Sequence, residues 1–274
     1  MRDEIEELEI DLLLEAIYRV RGFDFRQYLR SSLRRRILHR MQLDNVPTVS
    51  ALLDRILHDE LWMNKLLEDF SIKVTEMFRD PGFFLAFRQF IVPQLRKQEH
   101  IRIWHAGCAT GEEVYSMAIL LDEEGLLERT IIYATDMSEE AIDGAKEGKF
   151  PLKKMQAYTR NYLQAGGKGE FSSYYRSNRT HAYFHDMIKK RMVFAQHNLA
   201  TDVSFNEFQV ILCRNVLIYF DTELQNRVFN VLADSLADGG YLALGGKETI
   251  LAAQQKRFLD DQPEWRIYRK PPNG

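Results

Sequence analysis

The sequence predicts an α/β protein with a mostly parallel, doubly wound sheet, preceded by a small all-helical unit. Strand-like apolar runs alternate with helical segments from residue 101 onward, as in βαβ proteins. Before residue 71 the apolar residues recur only at helical spacing. A small-residue turn follows the first predicted strand, where open α/β sheets bind their ligands. With 274 residues, 45% of them hydrophobic, the chain can bury a substantial core.

Four helices are predicted in the first unit, over residues 4–20, 25–42, 49–58 and 60–70. The second is rich in arginine and contains no acid. An acidic helical partner would suit this helix, and we predict substrate-binding roles for Arg30, Arg34 and Arg35. Two alternatives remain open: a solvated face, or ion pairs with the acidic first helix. The arginines are Arg26, Arg30, Arg34, Arg35, Arg36 and Arg40, and the first-helix acids are Glu4, Glu7, Asp11 and Glu15.

The second unit is predicted to start with a turn at residues 80–82 and an aromatic-rich helix that runs to Pro93. Sheet strands are predicted at 101–104, 130–135, 192–197, 208–213 and 241–244, with an antiparallel strand at 265–268. A helix is predicted over 221–237, followed by a turn at 238–240. Residues 150–190 are too many for a simple βα connection, so they predict an inserted subdomain whose aromatic residues form either its core or a recognition surface. The predicted domains are therefore 1–75 and 76–274.

The turn after the first predicted strand is the leading candidate for function. Gly107, Ala109 and Gly111 leave room for a ligand to approach the main chain, and we predict a ligand contact at Gly107. Glu112 and Glu113 follow, so a pyrophosphate would meet negative charge at the helix start. The dinucleotide and P-loop patterns are also missing. A nucleoside with positive charge, such as S-adenosylmethionine, fits better; an ordinary βα turn is the alternative.

Polar residues follow three further predicted strands. Asp136 ends the second strand, where an acid commonly bonds ribose hydroxyls, although it could instead cap the next helix. Asn198 and Asn215 can bond a base or a sugar, and Tyr219 follows on the same rim. The alternatives are a turn-forming Asn198, a helix cap at Asn215 and a packed Tyr219. Arg79, at the junction of the two units, could reach a cleft there or form a surface ion pair with its acidic neighbours.

Taken in order, these segments resemble the CheR family of chemotaxis receptor methyltransferases over nearly the whole chain. The resemblance rests on five strings: Thr75-x-x-Phe78-Arg79, Thr110-Gly111-Glu112-Glu113-x-Tyr115-Ser116, Ala134-Thr135-Asp136, Asn198-Leu199, and Cys213-Arg214-Asn215-Val216-x-Ile218-Tyr219-Phe220. It implies a Rossmann-like methyltransferase domain that transfers a methyl group from S-adenosylmethionine to receptor glutamates, leaving S-adenosylhomocysteine. It also implies that Arg79 and Tyr219 lie nearest the methyl group. The implied cofactor contacts are Thr75, Arg79, Glu113, Asp136, Asn198, Leu199, Arg214 and Asn215.

This chemistry needs neither a general base nor a metal, because a glutamate with a pKa of about 4.3 is ionised at neutral pH. The chain departs from the family pattern at Lys73, where asparagine is typical, and at Gly246-Lys247-Glu248. The predicted insert lies where some members of the family bind a receptor peptide by strand addition. Two other functions stay open: a cofactor-binding signalling module without turnover, and a methyltransferase of another protein or of RNA.

Composition excludes several classes of protein. A formal net charge of -3 argues against bulk attraction to nucleic acid, and two cysteines cannot form a disulfide framework or a four-cysteine zinc site. The sequence shows neither a signal-type hydrophobic run nor the roughly 18 apolar residues of a membrane span. We therefore expect a cytoplasmic location without membrane insertion. We also expect the chain to be a monomer. The resemblance implies that its partner is the cytoplasmic helical region of a chemoreceptor.

Overall fold

The computed structural model describes residues 2–70 and 75–272. Four helices occupy the first range and share a hydrophobic core of their own, which confirms the all-helical unit. Lys73 lies outside the described residues, so its departure from the family pattern has no structural account. The helices are α1 (Arg2–Arg21), α2 (Arg30–Leu43), α3 (Val49–His58) and α4 (Glu60–Phe70).

The predicted start of the second helix at Phe25 is wrong, because α2 begins at Arg30. Residues 27–29 instead pair with residues 219–221 of the second unit. The Leu29 N–H donates to the Tyr219 carbonyl oxygen at 2.8 Å, and the Asp221 N–H donates to the Gln27 carbonyl oxygen at 2.9 Å. We call this backbone pairing the seam. The seam lies where the first turn of the longer predicted helix would be, and it attaches the helical unit to the second unit.

The second unit is built on a seven-stranded sheet with strand order β6-β2-β1-β7-β8-β10-β9. The first five strands in this order are parallel, and β10 is antiparallel to both of its neighbours, as predicted. Before the sheet come α5 (Pro81–Ala86), a π-helical turn (Phe87–Ile91) and α6 (Val92–Leu95). The remaining elements are β1 (Ile101–Ala106), α7 (Glu112–Glu123), β2 (Thr130–Asp136), α8 (Glu139–Glu147), β3 (Lys149–Pro151), α9 (Met155–Gln164), β4 (Tyr175–Ser177), β5 (His181–Phe184), α10 (Asp186–Lys189), β6 (Met192–Gln196), β7 (Phe208–Cys213), α11 (Thr222–Ser235), β8 (Leu236–Leu244), β9 (Leu259–Gln262) and β10 (Ile267–Arg269).

Both faces of the sheet are covered, which confirms the doubly wound α/β class. Ile103 and Trp104 are neighbours on β1, yet they belong to core clusters on opposite faces, and both are fully buried. This explains why the parallel strands read as continuous apolar runs. Two details differ from the prediction. Residues 238–240 bulge within a longer β8 rather than preceding it, and the polar edge strand β9 was missed because it carries no apolar alternation.

Residues 149–189, which we call the insert, form a second, three-stranded sheet with order β3-β5-β4 together with α9 and α10. Its buried aromatic residues join the main core. Phe184, for example, packs against the rings of Phe150, Phe171 and Tyr115 of α7 in edge-to-face or tilted contacts, with centroid distances between 5.2 and 6.0 Å. Tyr174 is buried as well. The core interpretation of the aromatic cluster therefore holds for these side chains.

Arg88, in the π-helical turn, joins three parts of this unit. Its guanidinium donates to the Glu124 carboxylate at 2.9 Å and to the Ala165 carbonyl oxygen at the end of α9 at 3.1 Å, and it also pairs with Glu123. All three charged side chains are almost completely buried. A buried cation with two carboxylates is costly to disrupt, so the insert is firmly attached to α7 and to the helix before the sheet.

Candidate functional site

A cleft lies between the helical unit and the carboxyl edge of the large sheet. It brings together six of the residues predicted from the sequence: Gly107, Asp136, Asn198, Leu199, Asn215 and Tyr219. Each lies at the carboxyl end of a parallel strand or within a few residues after it, which is why residues so distant in the chain meet. The helical unit contributes Tyr28 and Phe70. The other lining residues are Ala109, Met137, His197, Val216 and Phe220.

The turn after β1 needs glycine where it faces the cleft. Gly107 has a φ of +79°, and a Cβ atom there would lie 2.6 Å from Cγ2 of Val216. The N–H groups of Gly107 and Cys108 both donate to the Thr135 carbonyl oxygen at 2.9 Å, which holds the turn against the end of β2. The backbone therefore forms one wall of the cleft directly, with no side chain in the way.

Asp136 is buried at the cleft with its carboxylate held by the backbone. One oxygen accepts from the Ala109 N–H at 2.9 Å and the other from the Ser138 N–H at 3.0 Å. The cap of α8 is Ser138, whose hydroxyl oxygen accepts from the Ala141 N–H, so Asp136 does not serve as the cap. Its carboxylate is thus oriented beside the turn, where it can accept hydrogen bonds from a diol.

Glu113 and Arg214 lie in a buried charged cluster and not in the cleft wall. Arg214 donates to Glu113 at 2.8 Å and to Asp80 at 2.8 Å, and His105 Nδ1 lies 3.0 Å from the second Glu113 oxygen. Burial acts to raise the pKa of Glu113, but Arg214 and His105 outweigh it and hold that pKa below the usual 4.5. The Arg214 guanidinium also stacks on Phe83 at 4.1 Å.

Thr75 and Arg79 are the other two predicted residues outside the cleft wall, and both are half-buried in the junction. The predicted alternative for Arg79 was a surface pair with Asp80 or Glu76. The carboxylate of Asp80 is instead bound to Arg214, and Asp80 has a left-handed φ of +57°. The junction is therefore attached to the charged cluster through the residue next to Arg79.

Asn198 and Asn215 both shape their own turns as well as lining the cleft. The Asn198 side-chain oxygen accepts from the Ala200 N–H at 3.0 Å, so the turn-forming role is present. Asn215 has a φ of +62°, a conformation that asparagine tolerates better than most residues. Leu199 is buried and adds an apolar surface to the cleft.

Glu248 is a residue of the site that was not predicted from the sequence, as are Tyr28 and Phe70 in the cleft wall. Its buried carboxylate accepts hydrogen bonds from four backbone N–H groups, at 2.6 to 2.8 Å. Three of the donors are consecutive and include Asn215. Their hydrogen bonds to Glu248 fix the turn on the cleft rim. The available signal is an acid four residues after the end of the buried strand β8, in the segment where the chain departs from the family pattern. The donors are Asn215, Val216, Leu217 and Gly245.

Tyr219 meets the helical unit on its outer side. Its ring lies 5.3 Å from the guanidinium of Arg36, which also donates to the Phe70 carbonyl oxygen at 2.5 Å. Burial lowers the pKa of Arg36 without removing its charge at neutral pH. A half-buried cation therefore lies behind the tyrosine that lines the cleft.

The predicted substrate-binding arginines divide into two groups. Arg30 pairs with Glu7 at 2.6 Å and with Asp11 at 2.8 Å, and Arg34 pairs with Glu6 at 2.6 Å, so both bind α1 as the alternative anticipated. Arg26 precedes α2 and pairs with Glu15 and Asp24. Arg35 is exposed on α2, and within the described ranges no hydrogen bond or ion pair engages it.

Neither a metal site nor a membrane-spanning helix is present in the described residues. No group of three or more His, Cys, Asp and Glu side chains is placed to hold a metal ion. None of the helices there is both long and apolar enough to cross a membrane.

Comparisons with known proteins cover nearly the whole chain. Residues 73–264 match the family model described as CheR methyltransferase, SAM binding domain, and residues 8–71 match CheR methyltransferase, all-alpha domain. A Pseudomonas putida protein named as a methyltransferase, Cher3, is 48% identical over 96% of this chain and 97% of its own length. A chemotaxis protein methyltransferase of Listeria innocua is 28% identical, covering 90% of this chain and 93% of its own. Chemotaxis protein methyltransferase 1 of Pseudomonas aeruginosa is 29% identical, covering 82% and 83%.

Proposed function

Since the chain belongs to the CheR methyltransferase family, we propose that it methylates glutamate side chains of a chemoreceptor, forming glutamyl methyl esters for sensory adaptation. A dependence on S-adenosylmethionine follows from the family. The choice of acceptor is the proposal, and the names of the Listeria and Pseudomonas aeruginosa relatives support it. The observation that carries it most strongly is the cleft that brings together six predicted residues from separate strand ends. We further propose the division at about residue 75 and a cytoplasmic location for a monomeric chain.

The residues of the cleft fit S-adenosylmethionine. Asp136, oriented by two backbone N–H groups, would accept hydrogen bonds from the ribose hydroxyls. Asn198 and Leu199 would hold the nucleoside end, and Gly107 leaves the main chain open to the ligand. Thr75, Arg79, Glu113, Arg214 and Asn215 are proposed for the methionine end. Only Asn215 lines the cleft itself, so the other four would reach the ligand from just outside its wall. The ionised Glu113 would share its negative charge between Arg214, His105 and the ammonium group of the ligand.

The chain's own residues have a limited chemical task. When bound, the cofactor supplies an electrophilic methyl group on a sulfonium. The acceptor glutamate is already ionised at neutral pH, so the protein needs to align it and to exclude water. We propose that Tyr219 and Arg79 do this beside the reacting atoms. The Arg36 guanidinium behind the Tyr219 ring would hold that ring in place.

A labelled-methyl assay tests the proposed function. The full chain is incubated with methyl-labelled S-adenosylmethionine and a cytoplasmic receptor fragment, and the product is treated with base. Release of volatile methanol is expected, because a glutamyl methyl ester is base-labile whereas a methylated amine is not. S-adenosylhomocysteine binding without any product would contradict the enzyme and favour the signalling-module alternative.

Asp136→Asn provides the matched test of the site. It removes the charge of the carboxylate while retaining its shape, so S-adenosylhomocysteine affinity is expected to fall at least tenfold, about the loss of one charge-assisted hydrogen bond. Asp143→Asn, on the exposed face of α8, is the control and should bind normally. Unchanged affinity in Asp136→Asn would rule out the ribose contact.

A further inference from the structure

The helical unit places one phenol in the wall of the cleft. Tyr28 precedes α2, and its ring packs edge-to-face against Phe220 at 4.8 Å and against Phe25 at 5.0 Å between ring centroids. Its hydroxyl has a hydrogen-bond contact with the sulfur of Met137, at 3.7 Å. A thioether is a weak acceptor, so this contact engages the donor only weakly.

The position of Tyr28 is fixed by the backbone on both sides. It lies at the centre of the seam, between the Gln27 carbonyl and the Leu29 N–H that bond the second unit. The same seam holds residues 219–221, which include the proposed catalytic Tyr219. The phenol is therefore preorganised relative to the sheet, and a ligand would lose little free energy in ordering it.

The hydroxyl is also close to the proposed ribose site. Met137, its present acceptor, directly follows Asp136, and both line the same cleft. Burial, reinforced by the negative charge of Asp136, raises the pKa of Tyr28 well above its usual range. The hydroxyl consequently remains a protonated donor across physiological pH.

We infer that Tyr28 is a cofactor-binding residue whose hydroxyl donates a hydrogen bond to the nucleoside end of the bound S-adenosyl group, exchanging the Met137 sulfur for an oxygen or nitrogen acceptor. The inference rests on the proposed function and extends it. The helical unit, whose α2 is proposed to face the receptor, is then also part of the cofactor site. Cofactor affinity is accordingly a property of both units together.

Tyr28→Phe tests this directly, because it retains the ring and its edge-to-face contacts and removes only the hydroxyl. Affinities for S-adenosylhomocysteine and for adenosine are measured by calorimetric titration of the full chain. Both are expected to weaken by about threefold to tenfold, the effect of one neutral hydrogen bond, with an unchanged melting temperature. Tyr18→Phe, on the exposed side of α1, is the matched control and should bind both ligands normally.

The possible outcomes distinguish a failure of this inference from a failure of the proposed methyltransferase function. Wild-type affinity of Tyr28→Phe for both ligands would overturn the inference and leave the proposed function intact. A loss seen with S-adenosylhomocysteine but not with adenosine would overturn the assignment to the nucleoside end. If the wild-type protein itself bound no S-adenosylhomocysteine, the proposed function would fail first.

Discussion

Replacing Gly107 by alanine should destabilise the protein and distort the cleft. The loss in the free energy of unfolding has two contributions. The first part is conformational: a left-handed φ costs an alanine about 1–2 kcal/mol. The second is steric, since the new Cβ would lie 2.6 Å from a methyl group of Val216. Valine is stiff about χ1, and its N–H is bonded to Glu248, so neither the side chain nor the backbone can yield easily. Overpacking of this kind costs about 1–3 kcal/mol.

Gly125 offers a matched control for the conformational part. Its φ is +66°, and nothing lies within 4 Å of a Cβ placed there. Gly125→Ala should therefore lose about 1–2 kcal/mol in the free energy of unfolding, and Gly107→Ala about 2–5 kcal/mol. Urea denaturation measures both. S-adenosylhomocysteine affinity should fall only in Gly107→Ala, because only that residue lines the cleft.

A double variant checks the steric part. In Gly107→Ala combined with Val216→Ala the overlapping methyl groups are gone, so much of the difference between the two single glycine variants should be recovered. Equal destabilisation of Gly107→Ala and Gly125→Ala, with normal ligand affinity in both, would refute the reasoning. It would mean that the turn can shift to accommodate a Cβ at residue 107 and that the close approach to Val216 does not affect stability or binding.

Three further predictions concern charged residues. Glu248→Gln should lose about 2–4 kcal/mol of stability and at least tenfold in S-adenosylhomocysteine affinity, because an amide cannot accept from four buried N–H groups; normal calorimetric affinity would contradict its positioning role. Glu113→Gln should lower the melting temperature at pH 7 but make progressively less difference as the pH falls below 4.5. A carboxylate with a depressed folded pKa stabilises the protein above its ordinary value and loses that effect on protonation, so a difference independent of pH would argue against the ion pair. Arg35→Glu should raise the KM for a receptor fragment without changing stability. Arg34→Glu also loses an exposed ion pair with Glu6, which contributes under about 1 kcal/mol to stability. A wild-type KM in Arg35→Glu would contradict a role of α2 in receptor binding.

The fold was predictable because its signals are local. Buried parallel strands produce continuous apolar runs, and the residues after them meet at one sheet edge whatever their separation in sequence. Asp136 and Asn198 could therefore be placed together without any knowledge of the loops between them. The same logic placed Asn215 and Tyr219 on that edge.

The remaining features depend on contacts that no local pattern encodes. The residues before Arg30 are compatible with a helix, but they form a turn at residues 26–27 and then pair with residues 219–221, which are distant in the sequence. Glu248 lies 33 residues from Asn215, so its link to that turn is invisible in the sequence. The direction of Arg214 is similarly set by Asp80 and Glu113, which come from two distant segments.

The buried contacts of Arg88 have a consequence for the way the protein melts. One guanidinium bonds the π-helical turn, the end of α7 and the last residues of α9, so none of these can unfold while the others keep all their contacts. An insert joined only by its chain ends could melt separately at lower temperature. We therefore expect the insert and the large sheet to unfold as one cooperative unit, so that scanning calorimetry records a single heat-absorption peak for both.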